Sequence, residues 1–324
     1  MNMKKHLFTP FLIAASAVIL LTACGSSSDD NGTGDGPDII IPNEDDSECC
    51  NAEEKFLAYA FLNNGFVKEI TELRDTIADK YELKAYSANG KLHVGYNDLY
   101  FALIKISSQG YVRDFDISDI TPVMTMTKMG MQHSTPTGTT AVIHDPTFPA
   151  VRRAWVSFLM SSNDGGFWEL SYKASSQNQS ISHPATEITV DALASGLAWL
   201  KSFKVGDNTY YLSLVNPNNF QTGINTIQAY VSKQSTDKTK PYLPADETFT
   251  IEITPTMPDM GDHSSPNNEP LTLQESGIYE GKLNLSMTGL WNIHLVVKDK
   301  DGNIVAGADN DTSGYSSLYW TITI

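Results

Sequence analysis

Apolar and polar residues alternate with a period of two along much of the chain. Residues 248–253 read Thr-Phe-Thr-Ile-Glu-Ile, residues 279–285 read Tyr-Glu-Gly-Lys-Leu-Asn-Leu, and residues 291–297 continue the pattern. A period of two sends successive side chains to opposite faces, so these segments predict half-buried β-strands. Residues 99–106 and 155–159 are denser apolar and aromatic runs between turn residues, and they also read as strands. Asn89-Gly90, Asn163-Asp164-Gly165-Gly166 and Asp301-Gly302-Asn303 punctuate the strands with turns. This spacing predicts a seven-stranded antiparallel sandwich in each half of the chain. Residues 53–80 admit either a short helix over 53–62 or an extra strand.

One order of residues occurs twice. Ile120-Thr121-Pro122 leads through Met124, Met126, Met129-Gly130-Met131 and His133-Ser134 to Pro136. Ile253-Thr254-Pro255 leads through Met257 and Met260-Gly261 to His263-Ser264 and Pro266. Upstream, Tyr81-x-Leu83 and Gly95-x-Asn97-x-Leu99 match Tyr210-x-Leu212 and Gly223-x-Asn225-x-Ile227. Downstream, Met160 before Trp168 matches Met287 before Trp291. The order is kept and only loop lengths differ, as in a tandem duplication. The expected division is a first β-sandwich over 52–180 and a second over 190–324. Their boundary is expected in the Ser- and Gln-rich run 174–182 or just after it.

The N-terminus reads as an address. Lys4 and Lys5 precede an apolar run over 7–21, which ends in Leu21-Thr22-Ala23-Cys24. About fifteen apolar residues fall short of the ~20 that cross a bilayer, so 1–23 is expected to be an export signal. Leu-Thr-Ala-Cys resembles the bacterial lipobox, which makes Cys24 the expected lipidated residue. Residues 24–51 then form a Gly-, Ser- and Asp-rich tether that cannot bury a core. Gly25 and Ser26 stand where an inner-membrane retention signal would place Asp. That implies a Gram-negative outer-membrane lipoprotein, facing the periplasm or exposed at the cell surface. Cys49 and Cys50 are adjacent on the tether and read as incidental thiols, since neighbouring cysteines seldom pair.

Composition narrows the picture further. A length of 324 residues suits two domains, and 41% hydrophobic with 19% charged residues excludes global disorder. The net charge is -16, but eight acids and no base lie in residues 25–50, so much of the acidity is solvated leash. The acidic balance argues against nucleic acid as a partner.

The second copy resembles the YtkA-like/FixH-like family of periplasmic immunoglobulin-like domains. The resemblance rests on Pro255-Thr-Met257-Pro-Asp-Met260-Gly-Asp-His263-Ser-Ser-Pro266, Gly277-x-Tyr279-x-Gly281-Lys282 and Met287-Thr-Gly-Leu-Trp291. The first copy matches more loosely, with a Met-rich stretch and an insertion between Met160 and Trp168. The resemblance implies a tandem pair of immunoglobulin-like β-sandwiches, an envelope location and a link to copper handling. It implies no defined activity.

Eight methionines follow the signal, at 124, 126, 129, 131, 160, 257, 260 and 287, and all lie inside the two matched motifs. Thioethers are soft donors that suit Cu(I), and imidazole complements them. The expected donors are Met126, Met129, Met131 and His133 in the first copy, with Met257, Met260 and His263 in the second. Met160 with Trp168, and Met287 with Trp291, are placed to close over them. The opposing reading is packing, because methionine also fills core gaps and rests against aromatic rings. No His-Glu-x-x-His, Gly-x-Ser-x-Gly or phosphate-cradling loop is present, so no enzyme is expected. His93, His144, His183 and His294 lack recurring Met neighbours and are expected to be structural. The functional expectation is a non-enzymatic, lipid-anchored protein that binds or delivers Cu(I), with copper-handling or outer-membrane proteins as partners. The alternative is a metal-free adhesion or assembly module that binds other envelope proteins.

Overall fold

The computed structural model describes residues 52–63, 65, 67–138, 143–144, 150–163, 165–309, 311 and 314–324. The signal, Cys24, the tether, Cys49 and Cys50 lie outside the described residues. Apart from one α-helix and three short 3-10 turns, the regular structure described is all β-strand, almost entirely antiparallel. No helix among the described residues is long and apolar enough to cross a membrane.

In the first half, Tyr81–Ala88, Gly95–Lys105 and Val151–Phe158 lie side by side in one sheet. Gln179–Ile188, Gly166–Ser176, Asp116–Met126 and Met131–His133 form the facing sheet in that order. Alternate residues of both sheets meet in one core, with Leu83, Leu99, Phe101, Val156 and Phe158 against Ile117, Met124, Trp168, Leu170 and Tyr172. This is a β-sandwich, two amphipathic sheets each burying one face.

The second half repeats the pairing order. Asn208–Leu214, Gly223–Gln234 and Tyr279–Leu285 are neighbours, as are Tyr319–Thr323, Leu290–Lys298, Thr250–Met257 and His263–Ser264. Here Glu269–Leu273 pairs with both Thr250–Met257 and Tyr279–Leu285, which joins the strands into one eleven-stranded sheet. Its core, built on Tyr210, Leu212, Ile227, Trp291 and Trp320, is separate from the first.

The recurring Gly-x-Asn has the same task in both halves. The Asn97 amide donates to the carbonyls of His93 (2.7 Å) and Gly95 (2.8 Å), and its oxygen accepts from the His93 N–H. Asn225 makes the corresponding bonds to Gln221 and Gly223. Each side chain thus satisfies the turn that feeds the second strand of its sheet. Asn97→Ala is expected to lower stability by about 1–3 kcal/mol, read from the denaturant midpoint, since Asn97 is buried. Asn225→Ala should cost less, being half-exposed.

The open choice over 53–80 resolves into both options. Ala52–Asn63 is a helix, rich in good helix formers, and Val67–Glu69 and Asp75–Ile77 are short strands beyond it. The Asn63 amide donates to the Tyr59 carbonyl at the helix end. The run 174–182, where the boundary is expected, is a hairpin within the first sandwich. Gln177 and Asn178 both adopt left-handed backbone (φ 47° and 64°) between paired strands. Its polarity reflects an exposed hairpin rather than a linker. The first core continues to Ile188 and Val190, and the second begins near Trp199.

Gly95–Lys105 is buried on both faces along most of its length, which explains the dense apolar run in its sequence. Its inner face holds Leu99, Phe101 and Leu103. On the outer face, Ala102 and Ile104 pack with Tyr86, Val151 and the helix residues Ala58 and Leu62. Tyr96 and Trp155, farther along that face, pack with Val215, Tyr230 and Ile278 of the second half.

Candidate metal centre: two methionine–histidine hairpins

In the first hairpin, Met124 stands opposite His133 and Met126 opposite Met131. On the other side, Trp168 stands opposite Met124 and Gly166 opposite Met126. Directly paired residues of an antiparallel ladder share a face, as do residues two apart, with paired Cβ atoms about 5 Å apart. Two parallel rows result on one face: Trp168, Met124 and His133, then Gly166, Met126 and Met131. Met124 is buried, Met126 half-buried and Met131 58% exposed. Met129 sits in the turn beside Gly130, whose φ of +62° is the left-handed conformation that the reversal needs.

The histidine of this row is oriented. The His133 ring meets Trp168 edge-on, with ring centres 5.4 Å apart. Its Nδ1 lies 2.9 Å from the Ser134 carbonyl, which only accepts, so Nδ1 carries a proton and, in the neutral ring, Nε2 bears the lone pair. The Ser134 carbonyl also accepts, at 3.4 Å, from the Tyr242 hydroxyl of the second half. The Trp168 indole N–H donates to the Met160 carbonyl at 2.9 Å. Met160 packs, partly buried, against the first core.

The second hairpin repeats the methionine–histidine pair of the inner row. Met257 stands opposite His263, and the Trp291 indole donates to the Met287 carbonyl at 3.0 Å. Met257 is buried like Met124. A Cβ added at Gly166 would lie 2.9 Å from the Met124 methyl, and one at Gly289 would lie 2.7 Å from the Met257 methyl. Each glycine therefore leaves room for a thioether methyl over the core. The turn runs through Pro258–Met260 to Gly261, and the Asp262 N–H closes it on the Met257 carbonyl. Met260 is 58% exposed, Met287 is more than a third exposed, and His263 is exposed with no side-chain hydrogen bond among the described residues.

The structure thus brings Met126, Met131 and His133 together on one face and holds Met129 at the turn above them. In the second hairpin, His263 and Met257 are paired across the ladder and Met260 lies in the turn. Met160 and Met287 hold the tryptophans through their carbonyls. Met124, Gly166 and Gly289 were missed by the sequence reading of the site. The matched Met124 and Met257 are the signal that identifies the inner row, but only the ladder register sets each opposite its histidine.

The other histidines whose side chains are described are each engaged by neighbouring groups. His183 is stacked on Tyr172 with Nδ1 2.8 Å from an Asp75 carboxylate oxygen. His294 is buried between the Thr256 hydroxyl and the Ser316 carbonyl. Burial lowers the pKa of His93, whose ring meets Trp199 edge-on. No group of three or more His, Cys, Asp or Glu able to hold a metal occurs among the described residues.

Fold and rows together define an all-β protein with a repeated Trp–Met–His motif. Residues 204–296 match the model of the YtkA-like family, a span that contains the second hairpin, Met287 and Trp291. No curated protein matches the chain. A solved structure of the Yersinia pseudotuberculosis adhesin InvE aligns with 81% of this chain and 61% of its own, at 9% identity and a TM-score of 0.20. The chain thus spans about three fifths of that adhesin, and a likeness of that score carries no argument.

Proposed function

We propose that this chain is a non-enzymatic envelope protein, anchored by a lipid on Cys24, that binds Cu(I) and passes it on. Two β-sandwich domains made by duplication present the metal-binding hairpins, the junction lying between Val190 and Trp199. The observation that carries the reading is the pair of adjoining rows on the first hairpin. They set two partly exposed thioethers beside an imidazole whose Nε2 bears a lone pair. Cu(I) favours thioether and imidazole donors, and thioethers keep their ligand character in an oxidising compartment where thiols pair off. The copper is cargo here, and the chain's own part is to present soft donors on a stiff ladder. The YtkA-like match of the second half and the shared strand order of both halves support the envelope and two-domain parts of the reading.

A triple variant Met126→Leu, Met131→Leu and Met260→Leu tests it. The three side chains are half-buried or exposed, and Leu for Met usually costs under ~1.5 kcal/mol even in a core. The purified protein, titrated with Cu(I) under reducing conditions against a chromophoric competitor, should lose at least 100-fold in affinity in the variant. Unchanged circular dichroism would show that the fold survives. Unchanged copper binding would mean that these methionines only cover the sandwich ends, and the adhesion or assembly alternative would take the lead.

A further inference from the structure

We infer that the two hairpins are unequal Cu(I) sites, the first built to retain the ion and the second open for exchange. The inference rests on the Cu(I) reading above and adds a division of labour to it.

Three observations separate the sites. Both pair a buried methionine with a histidine across the ladder, but only the first has a row of donors beyond that pair. Met126 and Met131 face each other there in the ladder. Counting outward from the Met257–His263 pair by the same two residues reaches Asp259 and Gly261, neither of which offers sulfur. The second hairpin has already left the ladder at that point for the Pro258–Met260 turn. Met260, the exposed thioether of this hairpin, is thus carried by a turn.

The histidines differ in the same direction. His133 is half-buried, its Nδ1 engaged by the Ser134 carbonyl and its ring set against Trp168. That carbonyl is also met by Tyr242 from the other sandwich. A ligand whose second nitrogen is tied down presents its lone pair in one direction and loses little rotamer entropy on binding. His263 is exposed and makes no side-chain hydrogen bond among the described residues, so it must be ordered when an ion arrives. Fewer donors and less preorganisation make the second site the weaker and faster one. A retaining site and an exchanging site on one chain suit a protein that accepts an ion and hands it on.

The test is a titration of the purified full chain carrying 13C-methyl methionine. Cu(I), with Ag(I) as a redox-silent substitute, is added in sub-stoichiometric steps, and each methyl signal is assigned by its own Leu variant. The Met126 and Met131 signals should move during the first equivalent and the Met260 signal only afterwards. His133→Ala should weaken the first step by more than the roughly 10–100-fold that loss of an outer-shell partner costs, and leave the second in place. His263→Ala should remove the second step alone. Simultaneous movement of all signals, or Met260 moving first, would overturn the inequality while leaving Cu(I) binding intact. Signals that stay fixed throughout would overturn the Cu(I) reading itself, and the inference with it.

Discussion

Trp291→Ala is expected to destabilise the protein by about 3–5 kcal/mol, the usual cost of removing a fully buried large aromatic side chain. The indole is entirely buried in the second core, among strands from both sides of that half. Its loss leaves a cavity that a β-sheet framework collapses into poorly, and it strips the Met287 carbonyl of the indole N–H. Trp168→Ala should behave alike in the first core, where the indole is equally buried and donates to Met160. The measurement is the denaturant midpoint, with Trp291→Phe as control. Phe keeps much of the packing and gives up the donor, so its loss should be clearly smaller. A loss under about 1 kcal/mol for Trp291→Ala would show that the indole does not carry the core as its burial implies.

Tyr230→Ala is expected to uncouple the two halves. Its ring stacks on Trp155 at 4.4 Å and on Tyr96 at 5.9 Å, both from the first sandwich. Stacked aromatic pairs contribute about 0.5–1.5 kcal/mol beyond the apolar area they bury, and Tyr230 makes two. Burial raises the pKa of Tyr230, so its hydroxyl stays neutral at ordinary pH. Because the ring lies outside both main cores, its loss should leave each half folded. Calorimetry should then resolve two transitions where the parent gives one, and a protease should cut faster between residues 191 and 199. An unchanged single transition with no faster cutting would place the coupling elsewhere, at Trp199 on His93 or at Tyr242 on Ser134. Under the proposed Cu(I) reading, affinity at the first hairpin gives a second readout, since the Tyr242 contact depends on the same docking.

Much of the strand pattern was legible because half-burial leaves an alternating trace. Residues 248–253 and 291–297 alternate; residues 250–253 open the Thr250–Met257 strand, and 291–297 lie within Leu290–Lys298. The duplicated Gly-x-Asn was also legible, because the asparagine answers a local need of a turn within four residues of itself. Other parts left no such trace. The 174–182 run is polar both as a linker and as an exposed hairpin, and only the pairing of its flanks distinguishes the two. The double burial of Gly95–Lys105 reads as a dense apolar run whatever covers it. That the helix covers one part and the second half of the chain another is a long-range fact.

By itself the sequence determined the all-β class, the recurring order of motifs and the soft chemistry of the thioethers and imidazoles. These follow from local rules: the period of side chains along a strand, the demands of turns, and the donor atoms each residue carries. Tertiary structure decided which of those donors meet. Met124 and Met126 share a face in any strand, but a one-residue slip against Met131–His133 would put both opposite the wrong face. The observed register makes Met124 core, leaves Met126 and Met131 side by side at the rim, and turns His133 onto Trp168. In the second half the same register meets a shorter ladder, and the outer row of donors has no place to form. Register is set by the whole buried face of a sheet, which is why no short motif could announce it.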